Sequence, residues 1–214
     1  MSLFTITFCS HNKPIHCRET IESILAQTYT DWTCIINDSG VLYDQGYFSC
    51  LKDPRFIVHR SSETEEMRRT LNMASWLFNR VETASEWIMF LCDDDLLYPE
   101  ALQGFYEYIA EHKDVCAMYQ GGRFSGPNQP FQYNKADVIR GRCVGGARLD
   151  CLIDGGQICI KTELLSRHKW PEEREHSGHA DGIFLERVGC EVPFMPIDQL
   201  GLHNRKIPGL SLRA

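Results

Sequence analysis

Continuous apolar runs alternate with helical periodicity along the first 120 residues, and the alternation sets the expected architecture. Leu3 to Cys9, Trp32 to Ile36 and Trp87 to Leu91 are unbroken runs rich in β-branched and aromatic residues. That is the pattern of strands buried on both faces of a sheet. Ile21, Ile24 and Leu25 recur at helical spacing behind Pro14, which suits a first helical position, so residues 14–28 are predicted as a helix. Phe56 to Val58 predicts a short third strand. Met67, Leu71, Ala74, Leu77, Phe78 and Val81 follow at three- and four-residue steps and predict one long amphipathic helix. Pro99-Glu100 opens a helix with Ala101, Phe105, Tyr108 and Ile109 on one face, and Val115 to Tyr119 reads as a further strand. A β-α-β opening implies a parallel strand pair with a right-handed crossover, hence an α/β fold.

The pattern loosens after Gly121. From there to Gly156 the chain is rich in Gly, Asn, Gln and Arg, with Pro127 and Pro130, and predicts an irregular, partly antiparallel region. Order returns at Gln157 to Ile160 as a strand, Thr162–Arg167 as a short helix, Ala180 to Val188 as a helix and Glu191 to Met195 as a strand. Between the helices, Pro171 to His179 carries Glu172, Glu173, Glu175, His176 and His179. The His-x-x-His spacing invites a metal reading, but the surrounding acids favour a solvated, mobile loop over the site. Residues 198–214 lack periodicity and are expected to form a tail or lid. Trp170 and Tyr133, in polar surroundings, are candidates for stacking on a sugar ring.

Composition narrows the picture. The 214 residues are 43% hydrophobic, enough for one good-sized core, and the net charge of −7 with no long basic run argues against nucleic acid or an anionic membrane as partner. No stretch approaches the ~20 apolar residues needed to span a bilayer. The start, MSLFTITFCSHN, has no charged leader region and enters a strand directly. Of ten cysteines, Cys9, Cys34, Cys92, Cys116 and Cys159 lie inside apolar runs, and no C-x-x-C pair occurs. A reduced, cytoplasmic protein is therefore expected.

Chemistry concentrates where the run Trp87 to Leu91 ends in Cys92-Asp93-Asp94-Asp95. Three adjacent carboxylates without partners cost several kcal/mol each to bury, so they are expected at a sheet edge reached by water or a cation. In an open α/β sheet the C-terminal strand ends form the ligand crevice, and hard oxygen ligands there suit Mg²⁺ or Mn²⁺ shared with phosphates. A solvated acidic turn capping the next helix is the plainer alternative.

The segments FTITFCSHNKPIHCRETIESILAQTYTDWTCIINDSG, EWIMFLCDDDLLYPEAL and HADGIFLERVGCEVPFMPID, in this order, resemble the family-2 glycosyltransferases of GT-A fold, and among them the small nucleotide-sugar transferases. The resemblance implies a single domain over 1–214 with a mixed, mostly parallel sheet flanked by helices, residues 1–120 binding nucleotide and 121–214 binding acceptor. It implies that Cys9, Ser10, Asn12 and Asp38 hold base and ribose, that Asp93 and Asp94 contact the nucleotide, and that Asp95, with Asp93 and His203, serves the metal. Asp181 matches the base that deprotonates the acceptor hydroxyl for inverting transfer; a simple helix cap is its plain alternative. A nucleotide-diphosphate sugar, most readily a UDP-sugar, and Mn²⁺ or Mg²⁺ are the implied donor and cofactor, with a hydroxyl-bearing acceptor. The family's usual Asn-Gly segment is replaced by Glu65 to Thr70. Arg68 or Arg69 there suits a diphosphate, and equally Glu65 and Arg69 have the spacing of a surface helix pair. The Gln-x-x-Arg-Trp motif and membrane helices of processive synthases are absent from the sequence, which speaks against long-polymer synthesis. A non-catalytic GT-A-like binding domain and a sugar nucleotidyltransferase are the rival readings.

Overall fold

The computed structural model describes residues 2–39, 48, 51–61, 65–125, 131–133, 143–144, 147–148, 153–176 and 178–205. Expectations for the stretches outside these, including most of 41–50, much of 126–152 and the tail beyond 205, lie outside the described residues. So does the side chain of Tyr133.

The chain opens with β1 (Phe4–Ser10), α1 (Pro14–Leu25), β2 (Trp32–Asp38) and β3 (Phe56–Arg60). Then follow α2 (Glu65–Thr70), α3 (Met73–Phe78), β4 (Trp87–Cys92), β5 (Leu96–Leu97) and α4 (Ala101–Glu111). The second half contains β6 (Ala117–Ser125), β7 (Phe131–Tyr133), β8 (Cys143–Val144), β9 (Ala147–Arg148), β10 (Ile158–Lys161), α5 (Thr162–Arg167), α6 (Ala180–Gly189) and β11 (Phe194–Arg205). Among the described residues nine strands form one sheet in the order β3-β2-β1-β4-β10-β6-β11-β5, with β7 on β6 and β8-β9 apart. β3, β2, β1 and β4 are parallel, and β10 runs antiparallel between β4 and β6. This is the mixed, mostly parallel α/β sheet expected. The sheet buries both faces: Phe4, Ile6 and Phe8 join Ile21 and Ile24 of α1, while Ile88, Phe90, Ile158 and Ile160 join Phe184 and Leu185 of α6.

Several expectations need correction. The long helix over Met67–Val81 is two short ones, α2 and α3. Asn72 caps α3 by accepting from the Ser75 amide, and its own N–H goes to the Glu172 carbonyl at 2.7 Å instead of continuing the helix. Leu71 forms a β-bridge with Glu173. A segment 100 residues downstream thus competes for the helix's backbone groups and wins. The same contact corrects the mobile-loop reading at residues 171–174. Glu172 accepts from Asn79 and pairs with Arg80 at 2.8 Å, and Arg174 donates to the Arg68 carbonyl.

The reading of Trp170 also needs correction. It is 4% exposed, stacked on Phe184 with centroids 4.3 Å apart and 9° between planes, and flanked by Phe78 and Phe90. Asn79 braces its backbone on both sides. It is core, and no sugar reaches its face.

Finally, the irregular region does not begin at Gly121, and residues 198–205 are not a tail. β6 continues to Ser125 and pairs in parallel with β11, which runs to Arg205. Gln120 and Gly201 explain why this was hard to read. A Cβ at Gly201 would sit 1.9 Å from the buried Gln120 Oε1, so the strands meet through glycine and glutamine instead of β-branched residues.

Replacing Trp170 with Ala should destabilise the protein by about 3 kcal/mol or more, through lost burial and a residual cavity. Urea unfolding checks this, and an unchanged midpoint would contradict the core role.

Candidate active site

Parallel register brings the ends of three strands to one level: Ser10 lies opposite Asp38, and Cys9 opposite both Asn37 and Cys92. β1 has β2 on one side and β4 on the other, so the strand order reverses between β1 and β4. That is the switch point at which open α/β sheets hold ligands. Asp93-Asp94-Asp95 turns off β4 at this point, with the Asp95 N–H on the Cys92 carbonyl. Leu96-Leu97 then pairs with Leu202 and His203 of β11, so the end of β11 crosses the triplet.

The aspartates are not the water-washed edge expected. They are 5%, 6% and 2% exposed. Partners make this tolerable. Asp93 accepts from the His11 amide at 3.0 Å and from Lys13 Nζ at 3.0 Å, and the same ammonium reaches Asp94 at 2.9 Å. Asp95 accepts from Asn204 Nδ2 at 3.2 Å and from the Arg205 amide at 3.0 Å. The Arg205 guanidinium donates to the Asp94 carbonyl and pairs with Glu19.

Electrostatics follow from this crowding. Burial pulls the Lys13 ammonium down, but Asp93 and Asp94 outweigh it and hold the charge more firmly than in an ordinary lysine. Burial lifts the Asp93 carboxyl, against the opposing pull of Lys13 and the His11 N–H. Cys92 touches solvent at the crevice floor. Despite that contact, desolvation by the protein packed around it raises its thiol well above the usual value, and the charges of Asp95, Asp154, Asp94 and Asp181 push the same way.

That group of charges identifies a residue the sequence reading missed. Asp154 caps the 3-10 turn Gly155–Gln157: it accepts from the Gly156 amide at 2.9 Å, and Gln157 reciprocates. Asn204 Nδ2 also donates to Asp154 Oδ2 at 3.2 Å, tying it to Asp95. Asp181 lies in the first turn of α6. It is not the cap, which is His179; instead it accepts from the Gly155 amide at 3.3 Å. Asp154, Asp181 and the triplet therefore border one crevice. The Asp-Gly-Gly-Gln capping pattern was the available signal for Asp154. Lys13, Asn204 and Arg205 were missed because their partners in the aspartate triplet lie 80 to 111 positions away in the chain.

The other expected residues are distributed as follows. Ser10 is buried, and its carbonyl accepts from the Ser39 amide. Asn12 adopts φ 56°, which asparagine tolerates, and donates to His11 Nε2, leaving Nδ1–H to face the Ser39 oxygens. Cys9 turns to the Ala74 carbonyl. Asp38 is buried and paired with Arg60 at 3.3 Å. Arg68 and Arg69 occupy the last turn of α2. His203 stands beside Arg123 and Arg205; burial and these cations lower its pKa.

Can this site hold a divalent cation? Donor atoms of Asp94, Asp95 and Cys92 lie within 4.8 Å of one another, the metal-capable group among the described residues. Asp93, His176, His179 and His203 are not in it. Two carboxylates beside a protonated thiol fit a hard cation that completes its shell with phosphate oxygens and water.

Residues 5–167 match the model of Glycosyl transferase family 2. Protein CgeD of Bacillus subtilis (strain 168) is 24% identical over 211 residues, 92% of this chain and 48% of CgeD, so the chain spans about half the length of that relative. The S. aureus TarS 1–349 structure in complex with UDP-GlcNAc superposes with a TM-score of 0.73 at 14% identity, covering 98% of this chain and 60% of that one. The mannosyltransferase PcManGT of Pyrobaculum calidifontis, in complex with GDP-Man and Mn²⁺, gives 0.59 at 15% identity, covering 98% and 58%. At these identities the structures establish a shared fold. No helix among the described residues is long and apolar enough to cross a membrane.

His203 should titrate below the ordinary imidazole value of 6.5. Protonating it then costs stability as the pH falls through that lowered midpoint, and the contribution is intact above 6.5. An NMR titration checks this, and a midpoint at or above 6.5 would contradict it.

Proposed function

We propose, from the premise that this chain belongs to glycosyl transferase family 2, that it transfers a sugar from a nucleotide-diphosphate donor to an acceptor hydroxyl, inverting the anomeric centre. The observation that carries this is the convergence of Asp93–Asp95, Asp38 and Asp181 on one crevice at the β1–β4 switch point. Asp38, with the Ser10–Asn12 turn and the neighbouring Cys9, would receive base and ribose, since a carboxylate accepts from base N–H and ribose hydroxyls alike. A uridine base is the first choice, in line with the UDP-GlcNAc held by TarS; a guanosine base, as in PcManGT, is the comparison to run.

Asp95 and Asp94 would hold Mn²⁺ or Mg²⁺ next to the diphosphate, with Asp93 and His203 as flanking groups. Such a cation supplies positive charge against the leaving nucleoside diphosphate. Arg68 and Arg69 remain candidates for its oxygens. Asp181, oriented by the Gly155 amide, would take the acceptor's proton as that oxygen attacks the face opposite the leaving group. Free thiols in the core, Cys17 among them with its pKa pushed up to about 12 by burial, fit a reducing cytoplasmic setting. Residues 1–120 supply the donor half of the crevice, and 121–214, with Asp154 and Asp181, the acceptor half.

Calorimetric titration should show UDP binding that tightens at least tenfold with Mn²⁺, and Asp95→Ala should remove that gain. Absence of metal-dependent binding by any nucleoside diphosphate would overturn the reading. Asp181→Asn should keep donor affinity and lower transfer by about 100-fold or more, the scale of general-base catalysis. Unchanged turnover would remove Asp181 from the role of base, and no turnover in either protein would favour a binding module.

A further inference from the structure

We propose that Lys13 is a built-in counter-ion that makes the crevice's affinity for a divalent cation depend on a bound diphosphate. The proposal rests on the metal and donor reading above. Lys13 is the residue at the N-terminal cap position of α1, where its side chain makes no capping bond and its carbonyl is fixed by the Cys17 amide at 2.9 Å. From that anchored backbone the ammonium reaches 3.0 Å from Asp93 Oδ1 and 2.9 Å from Asp94 Oδ2. The lysine side chain is 19% exposed and the two carboxylates 6% and 8%, so water screens this contact poorly.

Asp94 is the shared element. Its carboxylate belongs both to the lysine pair and to the metal-capable group with Asp95 and Cys92. A divalent cation entering alone meets a fixed positive charge on the carboxylate it needs, and like charges at that separation repel strongly in a crowded site. A diphosphate changes the balance. Its oxygens accept from the three ammonium donors, which releases Asp94 and adds negative charge beside the cation. Cation and diphosphate then bind with positive coupling, and by linkage each raises the other's affinity by the same factor. Arg205 does not substitute for this role, because its guanidinium is engaged by the Asp94 carbonyl and Glu19.

The test is Mn²⁺ titration of the whole chain, read by the electron paramagnetic resonance of free Mn²⁺, with and without UDP or GDP and corrected for Mn²⁺–nucleotide association in solution. In the wild-type protein, nucleoside diphosphate should tighten Mn²⁺ binding at least tenfold. Lys13→Met should bind Mn²⁺ alone at least tenfold more tightly than wild type and lose most of the coupling. Lys13→Arg, which keeps the charge, should retain it. Equal or weaker Mn²⁺ binding by folded Lys13→Met overturns the role of Lys13 while leaving the donor reading intact. No Mn²⁺ binding by wild type even with nucleotide overturns both. Should thermal unfolding show that Lys13→Met does not fold, the wild-type arm decides: Mn²⁺ affinity indifferent to nucleoside diphosphate overturns the proposal.

Discussion

Everything in the crevice depends on how three consecutive carboxylates find partners in a nearly dry place. Asp93, Asp94 and Asp95 leave a strand buried on both faces and remain buried themselves. Unpaired, each would cost several kcal/mol. The compensation comes from two parts of the fold: the first turn through the His11 amide and Lys13, and the far end of β11 through Asn204 and the Arg205 amide and side chain. Two distant segments are therefore pinned to one turn, and the same contacts that make the triplet affordable also assemble the crevice. Asn204 extends the tie to Asp154, and the Gly155 amide next to it orients Asp181. The stabilising network and the groups proposed to act on donor and acceptor are one set of residues.

This arrangement divides the triplet by direction. Asp93 faces the β1 turn and Lys13, Asp95 faces β11, and Asp94 stands between the lysine and the metal-capable group. A single-residue shift along the chain would exchange these environments. Three adjacent acids are thus better understood as three differently wired groups than as a shared pool of negative charge.

How much of this was legible in the sequence follows from the range of the interactions involved. The runs ending at Ser10, Asp38 and Cys92 announced parallel strands because burial on both faces demands continuous apolar residues, and the acids at their ends announced a crevice. Asp181 was readable only through its segment's resemblance to a family. The helix break at Leu71-Asn72 was not readable, because local periodicity there supports one helix and the decision is made by Glu172 and Glu173. Trp170 sat among polar neighbours in sequence but among Phe78, Phe90 and Phe184 in space. The continuations of β6 beyond Tyr119 and of β11 beyond Met195 lacked the strand signature because glycine and glutamine let them approach closely. Lys13 and Asn204 carry no motif at all; their importance lies in what they touch.

The measurement that bears most directly on the central claim is a crystal structure of the protein soaked with UDP and Mn²⁺. The account requires an anomalous manganese peak against Asp94 and Asp95, the diphosphate beside it, and the base toward Asp38 across the β1–β4 switch point. Nucleotide bound elsewhere, or manganese held away from the triplet, would contradict it.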